Sequence, residues 1–180
     1  MTPTDELKHE HRIILIALDA VEREMEQIRD GGPVPEERIG QMIDFIQNFA
    51  DRCHHAKEET LLFTRMQERG MPANGGPIGA MLKEHDDGRR LVRAAAQALP
   101  GAGAGDAAAS AALAANLLAY ARLLRRHIDK EDHVLYPIAD QILTAADQTE
   151  LAAAFERVEA EEMGAGTHER YHQLAHKWAS

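Results

Sequence analysis

One pattern, written twice, limits what this chain can fold into. The first half carries LKHEH ending at His11 and then HHAKEETLLF from His54; the second carries LKEH ending at His85 and then HIDKEDHVLY from His127. Aligned, His11 falls on His85, His54 on His127 and Glu58 on Glu131, and the interval from the lone histidine to the His-x-x-x-Glu pair differs by a single residue between the halves. A histidine and a glutamate four residues apart on a helix point the same way, so each pair can address one point. The order calls for two helical hairpins that close on each other through related inner faces.

The flanking residues supply the helices. Thr2 can cap the first, with Pro3 in its first turn and Asp5 completing a capping box. Its apolar stripe of Leu7, Ile14, Leu18, Val21, Met25 and Ile28 includes His11 and stops at Gly31-Gly32-Pro33. The second runs from Pro35 to about Arg69 with Ile39, Met42, Ile43, Ile46, Phe49, Ala50 and Leu61 inward, before Gly70, Pro72 and Asn74-Gly75-Gly76 break the chain. Pro77 opens a third, striped by Ile78, Met81, His85, Val92, Ala95 and Leu99, and Pro100 to Asp106 reads as a linker. The fourth carries Leu113, Leu117, Tyr120, Leu124, His127, Glu131, Leu135, Ile138 and Ile142, with Pro137 set to kink or end it. Asp147-Gln148-Thr149-Glu150 reads as the cap of a fifth helix to about Met163, and Gly164 to Gly166 precede a short last one. The expected fold is all-α: an up-down-up-down four-helix bundle over residues 1–145, with residues 146–180 as a helical extension packed on it.

A formal net charge of −10 argues against nucleic acid or an anionic membrane as partner. The lone cysteine, Cys53, rules out an internal disulfide and fits a reducing compartment. Asp5 and Glu6 stand where a signal peptide needs an apolar core, and no run approaches the roughly 20 apolar residues of a membrane span. A cytoplasmic location is expected.

His11, His85, His127 and Glu131 occupy core positions of apolar stripes, and His54 with Glu58 repeats the arrangement beside the stripe of the second helix. A carboxylate in such a place must be protonated, paired or bound to metal. One histidine on an apolar face is ordinarily a satisfied core residue; six groups in a duplicated order make a ligand set of His11, His54, Glu58, His85, His127 and Glu131. Imidazole nitrogen with carboxylate oxygen suits iron, manganese or zinc, and the absence of convergent thiols argues against an iron–sulfur cluster. Glu59 and Asp132, also aligned, are expected to accept hydrogen bonds from ligands or to stand in solvent. His55 neighbours His54 and could supply a fifth histidine or compete for its role, but it aligns with Ile128, so the repeat favours His54 as ligand. His133 is expected to be exposed, Cys53 to be packing, and the row His168, His172, His176 to form a polar helix face or lie over an open end of the bundle. Glu6-x-x-His9 and Glu169-x-x-His172 have the form used by ferritin-like proteins, but His9 faces away from His11 and the second pair lies in the tail.

On these motifs the chain resembles the hemerythrin-like (HHE cation-binding) family over about residues 5 to 143. The resemblance rests on His11, on His54 and Glu58 in HHAKEETLLF, on His85 in MLKEHDDGR, and on His127 and Glu131 in HIDKEDHVLYP. It implies a four-helix bundle around two iron ions, bridged by an oxo or hydroxo group and by the carboxylates of Glu58 and Glu131, with the four histidines as terminal ligands; zinc or manganese would suit the same donors. Oxygen-carrying hemerythrins have a fifth histidine one turn beyond the place of His85, where this chain has Arg89. A pair of metals left open in this way suits peroxide chemistry. The expected function is therefore the handling of a small oxidant, hydrogen peroxide first, by a catalase- or peroxidase-like activity. Binding, storage or sensing of dioxygen or nitric oxide is the alternative, and a metal-buffering or structural bundle loaded with zinc is a third reading.

Overall fold

Capping residues and glycines set the element borders in the computed structural model, which describes residues 1–164 and 166–179, the side chains of Glu162 and Met163 excepted. Among these residues the chain forms six helices and no strand. Helix α1, Pro3–Arg29, starts on the expected capping box: the Asp5 amide donates to Thr2 Oγ1 at 3.1 Å and the Thr2 amide to Asp5 Oδ2 at 2.9 Å. It ends at Gly31, whose φ of 90° lets the Gly32 amide turn back to the Gln27 carbonyl at 2.9 Å.

Helix α2, residues 36–68, changes gauge along its length. It begins as an α-helix over Glu36–Phe45, widens to a π-helix over Ile46–His55 and again over Glu58–Leu62, and closes as α-helix over Phe63–Glu68. The wide turns shift the inward face, so that Leu62 rather than the expected Leu61 is fully buried.

Helix α3, Pro77–Gly103, overruns the expected linker by almost a turn. Pro100 lies in the last turn and removes one hydrogen bond, the one its N–H would make to the Ala96 carbonyl. The true turn is at Gly105 (φ 88°), where the Asp106 amide reaches the Gly101 carbonyl at 3.0 Å. Helix α4, Ala107–Ile142, is capped by Asp106, whose side chain accepts from the Ala109 amide. A π-helical turn over Glu131–Leu135 precedes Pro137, and the helix continues through it over Tyr136–Ile142. By length and composition α4 could cross a bilayer; here its Leu113, Leu117 and Leu124 are buried in the bundle core.

Helix α5, Ala145–Val158 with a π-helical turn at Glu159–Met163, is capped by Thr144, one turn earlier than the sequence cue placed the cap; Asp147 is its third residue. Helix α6 is Thr167–Ala179.

Two apolar layers result. One, beside Ile14, Leu18, Met25, Phe45, Phe49, Val92, Leu117 and Ile128, also receives Tyr171 and Trp178 of α6. The other, beside Leu7, Leu62, Phe63, Met81, Leu135 and Tyr136, receives Leu151 and Phe155 of α5. Each fully buried aliphatic side chain contributes about 1.5–3 kcal/mol. On α1, α3 and α4 the polar residues of interest fall between these layers: His11 after Leu7 and before Ile14, His85 after Met81 and before Val92, Glu131 after Ile128 and before Leu135.

Candidate metal centre

All six residues of the expected ligand set converge in that band, and each is almost completely buried. A seventh joins them. His55, which the repeat placed second to His54, is 4% exposed and stacks on His85 with ring centroids 3.8 Å apart. Consecutive residues of an α-helix diverge by about 100°, so His54 and His55 could not both face one centre on such a helix. They lie at the end of the π-helical segment Ile46–His55, where more residues per turn narrow that angle. The aligned part of α4 is ordinary α-helix. The widened turn is thus the local cause of the extra histidine.

The donor atoms form two groups, His11, His54, Glu58 and Glu131 in one and His55, His85, His127 and Glu58 in the other, with all atoms of a group within 4.8 Å of one another. Glu131 also reaches across, its Oε2 lying 3.3 Å from His11 Nε2 and its Oε1 3.0 Å from His127 Nε2. Glu58 Oε2 lies 3.8 Å from His54 Nε2 and 3.4 Å from His85 Nε2.

Every histidine of the centre is oriented from behind by its own carboxylate. Nδ1 of His11 donates to Asp132 at 2.7 Å, that of His54 to Glu10 at 2.7 Å, that of His55 to Asp51 at 3.2 Å, that of His85 to Glu59 at 2.7 Å and that of His127 to Glu84 at 2.9 Å. An ionised carboxylate only accepts, so each Nδ1 carries the hydrogen and each neutral ring turns a bare Nε2 lone pair inward. Glu59 and Asp132 play the part expected of them. Glu10, Asp51 and Glu84 were not singled out in the sequence, although Glu10-His11 and Glu84-His85 are repeated dipeptides that carried the signal.

This arrangement fits a metal ion on its own geometry. With hydrogens on both Nδ1 atoms and neutral rings, the lone pairs of His85 Nε2 and His127 Nε2 face each other 2.9 Å apart, a contact that a shared cation, or in the metal-free protein a proton on His85 Nε2, makes favourable. Two donors about 2.1 Å from one metal and roughly at right angles lie about 3 Å apart. Five buried polar atoms, His54 Nε2, His55 Nε2, Glu58 Oε2 and both oxygens of Glu131, have no hydrogen-bond partner. Native interiors seldom leave such atoms unsatisfied, and these share one location. Protons respond to the same field. Burial alone would lower His11, yet Asp132 and Glu131 lift it to about 9; at His85 burial is likewise overridden, by Glu58 and Glu59, and the ring rises to about 10. Burial and the neighbouring His85 instead hold His55 well below its ordinary value.

Around the ligands the two halves are alike with three exceptions. Lys57 meets Glu10 at 2.7 Å as Lys130 meets Glu84, but Lys57 is fully buried and also holds Glu6 at 2.8 Å and Glu159 at 2.6 Å. Tyr136, aligned with Phe63, donates its hydroxyl to Glu58 Oε1 at 2.6 Å and lies 3.3 Å from His11 Nε2. His55, Asp51 and Arg89 align with Ile128, Leu124 and Leu15, a polar trio against an apolar one. A cavity of about 120 Å³ borders the polar side, lined by Asp51, His55, His85, Arg89, Tyr120 and His127 among others.

Other expectations fall outside the centre. His133 is exposed, Cys53 is buried packing, and His9 faces away from His11 to stack on His172 of α6 at 5.1 Å. His168 approaches Glu10, an outer carboxylate, at 3.3 Å, and His172 packs against His9, His168 and His176.

The family model for the hemerythrin HHE cation binding domain matches residues 2–139. Among curated proteins the chain is similar to an uncharacterized protein of Mycobacterium bovis and to uncharacterized proteins of two strains of Mycobacterium tuberculosis, each 28% identical over 169 residues. The match covers 91% of this chain and 64% of each relative, so the chain spans just under two thirds of their length. No solved structure matches.

Proposed function

Because the chain belongs to the hemerythrin HHE cation-binding family, we propose that its buried centre holds two iron ions and takes up one small oxidant or gas, dioxygen or nitric oxide, at one of them. His55, His85 and His127 would hold one ion, His11 and His54 the other, and Glu58 and Glu131 would serve both. Iron there supplies one-electron chemistry toward small oxygen species. The observation that carries the reading is the unequal division of histidines, three in one group and two in the other. It replaces the symmetric open pair expected from Arg89 alone, and unequal metals suit uptake of a single ligand better than shared attack on one.

The chain's own residues prepare such a site. Ile128, 3% exposed, and Leu15 and Leu124 offer an apolar wall where the other half offers His55, Arg89 and Asp51. The Tyr136 hydroxyl holds a proton against Glu58 beside His11, and burial together with the charges of Glu58 and Glu131 raises its pKa well above the ordinary value, so it remains a hydrogen-bond donor.

That buried hydroxyl is also what favours a second reading, turnover of hydrogen peroxide, which needs a proton donor close to the reacting oxygens. Iron-loaded protein separates the two. A visible spectrum that changes with dioxygen or nitric oxide and reverts under vacuum is the expected result. Oxygen evolution from peroxide faster than with free iron, lost in Glu131→Ala and without a reversible gas adduct, would replace binding by catalysis.

A further inference from the structure

We propose that His55 is a resident metal ligand and that Arg89, standing where oxygen carriers have their fifth histidine, is the positioning residue that makes it one. The proposal rests on the reading that the centre holds a metal pair. Its basis is a chain of contacts confined to one half of the molecule. The Arg89 guanidinium donates through Nε to Asp51 Oδ1 at 2.9 Å and through Nη2 to Glu59 Oε1 at 2.7 Å. Asp51 in turn receives Nδ1–H of His55, and Glu59 receives that of His85. One planar cation therefore fixes the two carboxylates that aim two stacked imidazoles, a two-point grip that a lysine could not reproduce.

Three observations separate this from a histidine that merely fills space. His55 Nε2 is buried with no partner, which is unfavourable unless something binds it. That atom lies in one group with the donor atoms of His85, His127 and Glu58. The aligned position holds Ile128, also buried, so packing alone is served there by an aliphatic side chain. The π-helical segment that turns His55 inward has no counterpart around Ile128, which ties the departure in backbone to the departure in ligand. Arg89 thus gives up the direct role of a histidine and, through Asp51, recruits a replacement from the preceding helix.

Cobalt(II) tests this without redox chemistry. In wild-type protein loaded with two equivalents, each ligating imidazole contributes one exchangeable, hyperfine-shifted Nδ1–H resonance. Five such signals are expected from His11, His54, His55, His85 and His127; four would overturn the proposal while leaving the metal pair in place. His55→Ile should remove one signal and weaken the second cobalt equivalent by about 10-fold or more, and Arg89→Leu should keep the fold by circular dichroism while weakening the same equivalent about 10–100-fold. Unchanged affinity and spectrum in His55→Ile would reduce His55 to core packing. Failure of the wild type to bind two equivalents would instead remove the metal-pair reading itself.

Discussion

Glu10 and Glu84 do the same work in different surroundings. Each precedes a ligand histidine of one helix, holds the ligand histidine of the next, and takes a lysine on its other oxygen. Glu10 is 1% exposed and Lys57 0%, whereas Glu84 is 26% and Lys130 42%. Burial would raise Glu10, but His168, His54 and Lys57 hold it well below the ordinary carboxylate value. Removing one partner of a buried pair strands the other, while a solvated pair contributes little. Glu10→Ala should therefore lower the stability of the metal-free protein by about 3 kcal/mol, and Glu84→Ala by about 1 kcal/mol or less, as measured by urea denaturation. Equal losses would mean that the depth of the Lys57 pair has no energetic consequence. Cys53 gives a simpler case: fully buried beside His54, it should resist alkylation at pH 8 in the folded protein and react only in denaturant.

At the scale of helices, α6 ties the tail to the centre. Trp178, the chain's one tryptophan, meets Phe45 edge-on at 5.8 Å, Arg23 donates to the Trp178 carbonyl at 2.7 Å, and His168 approaches both Glu10 and Glu159. The hydrogen bond to Glu10 raises the pKa of His168, with burial and Lys57 opposing. A raised value in the docked state stabilises docking below the ordinary histidine pKa of about 6.5, and that contribution disappears as pH climbs through the raised value. His172 acts in the opposite sense, since burial and the charges of His9 and His168 lower it, so protonating it in acid works against docking. The difference between wild type and His168→Gln isolates the first effect: wild-type α6 amides should exchange more slowly than the variant's at pH 6, with the gap closing by pH 9, and Trp178 fluorescence should follow. A gap that does not vary with pH would leave His168 only a packing role.

The same scale shows what could be read from the residues and what could not. Period and punctuation placed α1 to its capping box and gave the inward face of α4, because stripes, caps and glycines act locally. The convergence of the six expected donors was legible because duplication tests each position against another. His55 was not, since an α-helical period assigns it to a different face from His54, and nothing in the amino-acid order announces a π-helical segment. Asp51, and the grip of Arg89 on it, were invisible for a related reason: which carboxylate stands behind which ring depends on helix rotation across the bundle. The cap of α5 was misplaced because Thr144 and Asp147, three residues apart, both offer the right chemistry.

For the whole molecule, two buried carboxylates and five inward Nε2 atoms make the centre a place where folding and metal loading are one equilibrium. Each ion held at a hundred times its Kd adds about 2.7 kcal/mol of stability. At 2–4 °C per kcal/mol for a chain of this size, stripping the metal with a chelator should lower Tm by about 5–10 °C for each ion removed, and adding iron(II) or zinc should restore it. Unchanged melting after complete removal would show that the band between the two apolar layers sustains itself. Acid should strip the metal as well, because protons compete for the same nitrogens.

The likeness of the two halves extends beyond the ligands to the carboxylates behind them and the lysines behind those, each in the same relation across the bundle. Such depth is what tandem duplication of one hairpin would leave. Two molecules of the segment 77–142 would then still carry a complete box of four imidazoles and two acids. Joining the copies in one polypeptide freed each half to diverge alone, and His55, Tyr136 and the interred Lys57 mark where that freedom was used.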